Sequence, residues 1–140
     1  MITDLKINPE HRRYYYERGW WTDQTLNDIW NCQVTRFGSN PYVKDELGAS
    51  FSYQEIDDQA SRLASWFLEI GVKQGDVVSF QIPRWAEFAI IYVACLKAGA
   101  VIHPFPVNYS ESDILYTIDL VKPAVYICPT FFHKTDFEKQ

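Results

Sequence analysis

The stretch "VVSFQIPRWAEFAIIYVACLKAGAVIHP", Val77 to Pro104, decides the fold. Val77 to Ile82 is β-rich, with apolar residues on both faces at its start, the pattern of a strand covered by helices on both sides. Pro83 breaks it. Trp85 to Lys97 is apolar around most of its circumference, as in a largely buried helix, and Gly99 supplies the stop. Val101 to His103 then gives a second short strand before Pro104. A strand, a buried helix and a strand in that order predict parallel pairing through a right-handed crossover.

Working outward, Ser110 and Asp113 have the spacing of a helix cap, and the helix they open must end near Lys122 because Pro123 cannot continue it. "AVYIC", Ala124 to Cys128, is the third strand. Each strand is followed closely by a proline, Pro83, Pro104 or Pro129, so three strand ends that cannot go on pairing line up along one edge of the sheet. In open α/β sheets that carboxyl edge is where ligands bind.

Toward the amino terminus, Ser52 and Glu55 form the capping box of the clearest helix. Its apolar positions Ile56, Ala60, Leu63, Phe67 and Ile70 make one stripe, and Gly71 ends it. "YVKDELGASFSY", Tyr42 to Tyr53, holds two short β-prone runs around Leu47-Gly48 and predicts a hairpin. Before it, Thr25 and Asp28 cap a helix carrying Leu26, Ile29, Trp30 and Val34 and ending at Gly38, and Pro9 opens a short helix that stops at Gly19. The expectation is an α/β protein, a parallel βαβαβ sheet flanked by helices, with residues 1–50 as a helical and hairpin lead-in and 51–140 as the first α/β subdomain. The tail "HKTDFEKQ" is polar, has no stop signal, and reads as an element cut short.

Composition narrows the function. The 140 residues are 47% hydrophobic, 16% aromatic and 22% charged, enough for an ordinary buried core. A net charge of −5 supplies no basic face for nucleic acid or anionic membrane, and "HRR" at His11–Arg13 is too short to reverse it. The start, "MITDLKINPEHRR", lacks the apolar core of a secretory signal, and the longest apolar run, Phe88 to Leu96, is about half of what a bilayer span needs. Cys32, Cys95 and Cys128 are odd in number and lack C-x-x-C spacing, which fits a reducing cytoplasm and argues against a zinc site.

Individual residues carry little chemistry. Neither G-x-G-x-x-G nor G-x-x-x-x-G-K-[ST] occurs, and in "GVKQGD" Gly71 is a helix stop and Gly75-Asp76 a turn. His103 stands where a general base or metal ligand could sit, but no second ligand has spacing to it, and a structural histidine is favoured. His11 and His133 lie in polar surroundings. Cys95 and Cys128 sit in apolar runs and read as inert. Arg84, after a strand and before a helix, is placed to meet an anion, though a solvated arginine pairing weakly with Glu87 is the plainer expectation. "YYYERGWW", Tyr14 to Trp21, is a binding platform or, more simply, the patch that packs a terminal helix onto its own body.

Taken together, Phe51 to Pro129 resembles the amino-terminal subdomain of the adenylate-forming enzymes: acyl-CoA synthetases, aryl-acid AMP ligases, peptide-synthetase adenylation domains and luciferases. The marks are a tyrosine-led capping-box helix, G-x-x-x-G-D, a strand ending in proline and "CLKAGAV", together at the family's spacing. The lead-in "YYERGWWTDQTLNDIW" resembles the acyl-CoA and dihydroxybenzoate-type ligases, bacterial short-chain or medium-chain acyl-CoA synthetases above all. The resemblance implies that a carboxylic acid is activated with ATP and Mg²⁺ to an acyl-adenylate and transferred to CoA. It also implies that the rest of the polypeptide is the principal partner. The family's Ser/Thr/Gly-rich phosphate loop with its Lys, magnesium glutamate, ribose aspartate and carboxy-terminal lysine are not in this sequence. These residues alone are therefore expected to be inactive, with no catalytic or metal-binding residue and no tightly held cofactor. The resemblance further implies that the turn after "VIHPFP" lies near the channel for the CoA pantetheine arm, with Phe105, Pro106, Asn108 and Tyr109 the candidate contacts; packing against the next subdomain is the other reading of the turn. A non-catalytic protein-interaction module is the alternative.

Overall fold

The structure, a computed structural model, describes residues 7–46, 48–132 and 135–137. The Leu47 tip of the expected hairpin, His133 and the last three residues lie outside them. In chain order the elements are α1 (Pro9–Glu17), α2 (Leu26–Phe37), β1 (Pro41–Lys44), β2 (Ser50–Ser52), α3 (Tyr53–Glu69), β3 (Val77–Phe80), α4 (Ala86–Ala98), β4 (Val101–Pro104), α5 (Glu111–Val121), β5 (Val125–Ile127), β6 (Phe131–Phe132) and β7 (Thr135–Asp136).

Helix starts are written locally. Thr25, Ser52 and Ser110 each accept the backbone N–H three residues on, and Asp28, Glu55 and Asp113 each reach back to the cap's own N–H, at 2.8, 2.8 and 3.1 Å. These bonds satisfy donors that the first helical turn leaves orphaned. They also hold the Asp28, Glu55 and Asp113 carboxyls below their usual range. A depressed carboxylate pKa stabilises the fold above the unfolded value and loses that contribution as pH falls, so these caps weaken in acid.

The stops differ from one another. Gly99 closes α4 in the left-handed conformation at φ 68°, and a Cβ there would press on the Gln74 side chain at 3.1 Å. Gly38 ends α2 as expected but, unlike Gly99, with right-handed angles. Its requirement is space, because a Cβ would stand 2.9 Å from the Val34 carbonyl. Lys122 closes α5 with φ 49°, a conformation usually left to glycine, immediately before the proline that forbids continuation.

β3 is the central strand of a parallel sheet of order β4-β3-β5, with Val78 opposite both Ile102 and Val125. The step from β3 to β4 runs one way along the sheet and the step from β4 to β5 runs back. Right-handed crossovers therefore put α4 and α5 on opposite faces. Under α3 and α4 the sheet is apolar: Val78, Phe80, Ile102, Val125 and Ile127 join Ile56, Phe67, Ile91 and Val93 in one core cluster. The other face presents Ser79, Gln81, His103 and Tyr126.

The core also takes in the lead-in. Trp30 of α2 is buried, and its indole N–H donates to Asp57 Oδ1 at 2.6 Å; the same oxygen lies 2.7 Å from Lys97 Nζ. Two helical stripes are narrower than their spacing predicts. Leu26 and Ile29 of α2 are exposed, and so is Ile70, which caps α3 beyond its last turn and leaves the direction of the stripe. β6 and β7, an antiparallel pair at the end of the described chain, have no sequence signal: Phe131–Phe132 pairs with Thr135–Asp136, two residues from a tail that reads as polar.

Candidate functional site at the carboxyl edge of the sheet

The three strands end together. Phe105 N–H donates to the Phe80 carbonyl at 2.7 Å and Gln81 N–H to the Ile127 carbonyl at 2.8 Å, so the chain leaving β4 and the chain leaving β3 are each tied to a neighbouring strand end. Between β4 and the α5 cap the backbone makes a tight turn, closed by Tyr109 N–H to the Pro106 carbonyl at 3.2 Å.

The four candidate contacts separate here. Phe105 is buried, its ring packed edge-on to His103 at 4.8 Å and tilted against Tyr126 and Tyr109 at 5.8 and 6.0 Å. It anchors the turn from below. Pro106, Asn108 and Tyr109 face outward and are exposed. A groove of about 740 Å³ runs beside the turn, lined by Ile82, Trp85, Phe88, Phe105, Pro106 and Val107 among others. A second, of about 840 Å³, opens on the β5 side and shares Ile82 and Trp85 with the first. The Trp85 indole N–H, between the two, is buried and among the described residues finds no hydrogen-bond partner.

His103 takes the structural role. Its Nδ1 is 2.9 Å from Ser79 Oγ, itself fully buried, and that pairing fixes the ring against β3. Arg84 lines the first groove and is exposed, and among the described residues it makes no ion pair with Glu87. Cys95 is buried, which pushes its thiol up to about 12 and leaves it protonated at neutral pH. None of the three cysteines is in a disulfide. Among the described residues no group of three His, Cys, Asp or Glu side chains is placed to hold a metal ion.

Among the described residues the Tyr14–Trp21 cluster does not bury α1 against the body. No α1 residue is buried, and the rings stack on one another: Tyr15 lies 5.0 Å from Trp21 and 5.9 Å from Trp20, with the Arg18 guanidinium 4.5 Å over Tyr14. Sequence reasoning missed two residues of the edge, Gln81 and Tyr126. A lone glutamine closing a β-rich run just before Pro83 was the available signal.

The family described as AMP-binding enzyme matches residues 31–140. The chain belongs to that family. It is 36% identical over 135 residues to the medium-chain fatty-acid–CoA ligase of Escherichia coli K12, covering 96% of this chain and 24% of the relative. It is 28% identical over 124 residues to the 2,3-dihydroxybenzoate-AMP ligase of Bacillus subtilis 168, covering 88% and 23%. The chain thus spans about a quarter of the length of these relatives. Among solved structures, the N-terminal subdomain of Klebsiella oxytoca NpsA superposes with a TM-score of 0.70 at 25% identity, over 79% of this chain and 29% of that one. The parallel sheet and its flanking helices are thus those of the N-terminal domain of adenylate-forming enzymes. Among the described residues of this AMP-binding family member, no helix is long and apolar enough to cross a membrane.

Proposed function

We propose that these residues are the amino-terminal part of an AMP-forming acid–CoA ligase, residues 1–50 as its lead-in and 51–140 as its first α/β subdomain. The complete enzyme activates a carboxylic acid with ATP and Mg²⁺ to an acyl-adenylate and then passes the acyl group to the thiol of CoA in the cytoplasm. The observation that carries this reading is the turn at the carboxyl edge, which presents Asn108 and Tyr109 outward over the buried Phe105. The ligase relatives support it.

The residues present fit the thiol approach and not the nucleotide. The turn offers a polar amide and a phenol beside an apolar groove, whereas the sequence contains no glycine-rich phosphate cradle and no lysine-bearing loop of that type. The part played here is scaffold and one wall of the CoA channel. The 140 residues alone are expected to give no acid-dependent ATP–pyrophosphate exchange above background, because neither positioning nor charge stabilisation for phosphoryl chemistry is supplied. Robust exchange by the purified chain would overturn that.

The two half-reactions separate the wall from the scaffold, since only the second uses the thiol. In the complete ligase, Asn108→Ala or Tyr109→Ala is expected to raise the KM for CoA about three- to tenfold while pyrophosphate exchange stays nearly constant, the pattern of a lost binding contact. Equal losses in both half-reactions would assign the turn to packing alone. The alternative, a non-catalytic interaction module, draws on the exposed aromatic cluster of α1, and acid-dependent exchange by the complete protein would dispose of it.

A further inference from the structure

Gln81 is fully buried, a costly place for a primary amide unless its polar atoms are paired. Its Nε2 donates to the Pro106 carbonyl at 2.9 Å, and its Oε1 accepts the Tyr126 hydroxyl at 2.7 Å. The orientation of the amide follows from chemistry. A carbonyl oxygen only accepts, so the NH₂ end must face Pro106, and the end left over must receive a proton from Tyr126. The Pro106 carbonyl also accepts the Tyr109 N–H that closes the turn, so the side chain from β3 grips the turn at its own hydrogen-bonded hinge. Pro106 has no N–H with which to make a second backbone bond.

We propose that Gln81, backed by Tyr126, is a positioning residue for the thiol-transfer half-reaction: it fixes the Pro106 carbonyl and thereby holds Asn108 and Tyr109 at the carboxyl edge. The inference rests on the reading that this turn borders the CoA approach. Glutamine suits the place because it joins an acceptor on one side to a donor on the other at this reach at any pH; an ionised glutamate would turn a second acceptor toward Pro106. Burial pushes the Tyr126 phenol up to about 12, so the hydroxyl keeps the proton it donates throughout the working range. The Phe105 ring, packed against Tyr126, His103 and Tyr109, supports the same turn from beneath but contributes no directional bond.

The test uses the complete ligase with Gln81→Glu, Gln81→Met and, as the gentler variant if either fails to fold, Tyr126→Phe. Hydrogen exchange at the Phe105 and Tyr109 amides reads the turn directly, the KM for CoA reads the thiol step, and pyrophosphate exchange reads adenylation. Gln81→Glu and Gln81→Met are expected to speed exchange at both amides and raise the KM for CoA about tenfold, the factor carried by one lost buried hydrogen bond, with pyrophosphate exchange within about twofold of wild type. Lowering the pH should bring the Gln81→Glu value back toward wild type, because a protonated carboxyl can donate to Pro106, and should leave Gln81→Met unchanged. Unaltered amide exchange in folded variants would overturn the proposal. So would a raised KM in Asn108→Ala with none in the Gln81 variants, which would leave the channel reading standing. A faster-exchanging turn with an unchanged KM in all variants, Asn108→Ala included, would instead remove the channel reading and the positioning role with it.

Discussion

Truncating Phe67 to alanine is expected to destabilise the chain by about 3–5 kcal/mol, the cost of a fully buried phenylalanine whose cavity cannot collapse. Phe67 is 0% exposed and sits on the face of α3 that meets α4 and the apolar side of the sheet. Val78, Phe80 and Ile91 of the same core cluster are held by sheet pairing and a helix, so little can move in to fill the space. Ile70→Ala supplies the control. Ile70 shares the sequence stripe but is 48% exposed, and its truncation should cost under about 1 kcal/mol. Equal shifts of the denaturant midpoint for the two variants would show that the stripe, and not the structure, describes the buried face.

The second large effect is expected at Asp57. One carboxylate oxygen accepts from the Trp30 indole and meets the Lys97 ammonium, joining α2, α3 and α4 at a single atom. Asp57→Leu leaves both donors without that acceptor and the ammonium with no counter-charge in a site where its side chain is 19% exposed. A loss of about 2–3 kcal/mol is expected, below the 3–5 of a wholly buried pair because some water still reaches both groups. Lys97→Met should cost less, since the indole keeps its acceptor. The double variant should recover part of the Asp57→Leu loss, because removing both charges is cheaper than stranding one. Strict additivity in the double-mutant cycle would mean that the two groups do not feel each other.

Where an element is specified by neighbours in sequence, reading residues was sufficient. Three capping boxes fixed the starts of α2, α3 and α5 because donor and acceptor lie three residues apart, and the apolar circumference of α4 announced burial on its own. Parallel pairing also followed from the alternation of strands and helices, whereas the central place of β3 between β4 and β5 was not legible in it. What escaped depends on partners far along the chain. Ile70 has the period of its helix but not its direction, because the capping turn rotates it away. Gln81 looked like an ordinary polar residue until its partners at Pro106 and Tyr126, 25 and 45 residues distant, were brought beside it. The aromatic cluster of α1 has a composition that suits packing on a body, yet its rings satisfy one another, a choice no local pattern encodes.

The placement of β3 between β4 and β5 has a consequence for how the chain is made. The strand at the centre of the sheet leaves the ribosome before either of its partners. Gln81, just beyond the end of β3, and Tyr126, in the adjacent β5, are separated by 45 residues, which at roughly 5–20 residues per second is an interval of about 2–9 s. During that time β3 lacks its β5 partner, and Val78 and Phe80 are covered by the elements already made, α3 and α4 with Trp30 of the lead-in. A capping box needs only residues of its own helix, so the one at Ser52 biases α3 toward helix before the last partner of β3 is synthesised, ahead of the packing that stabilises it.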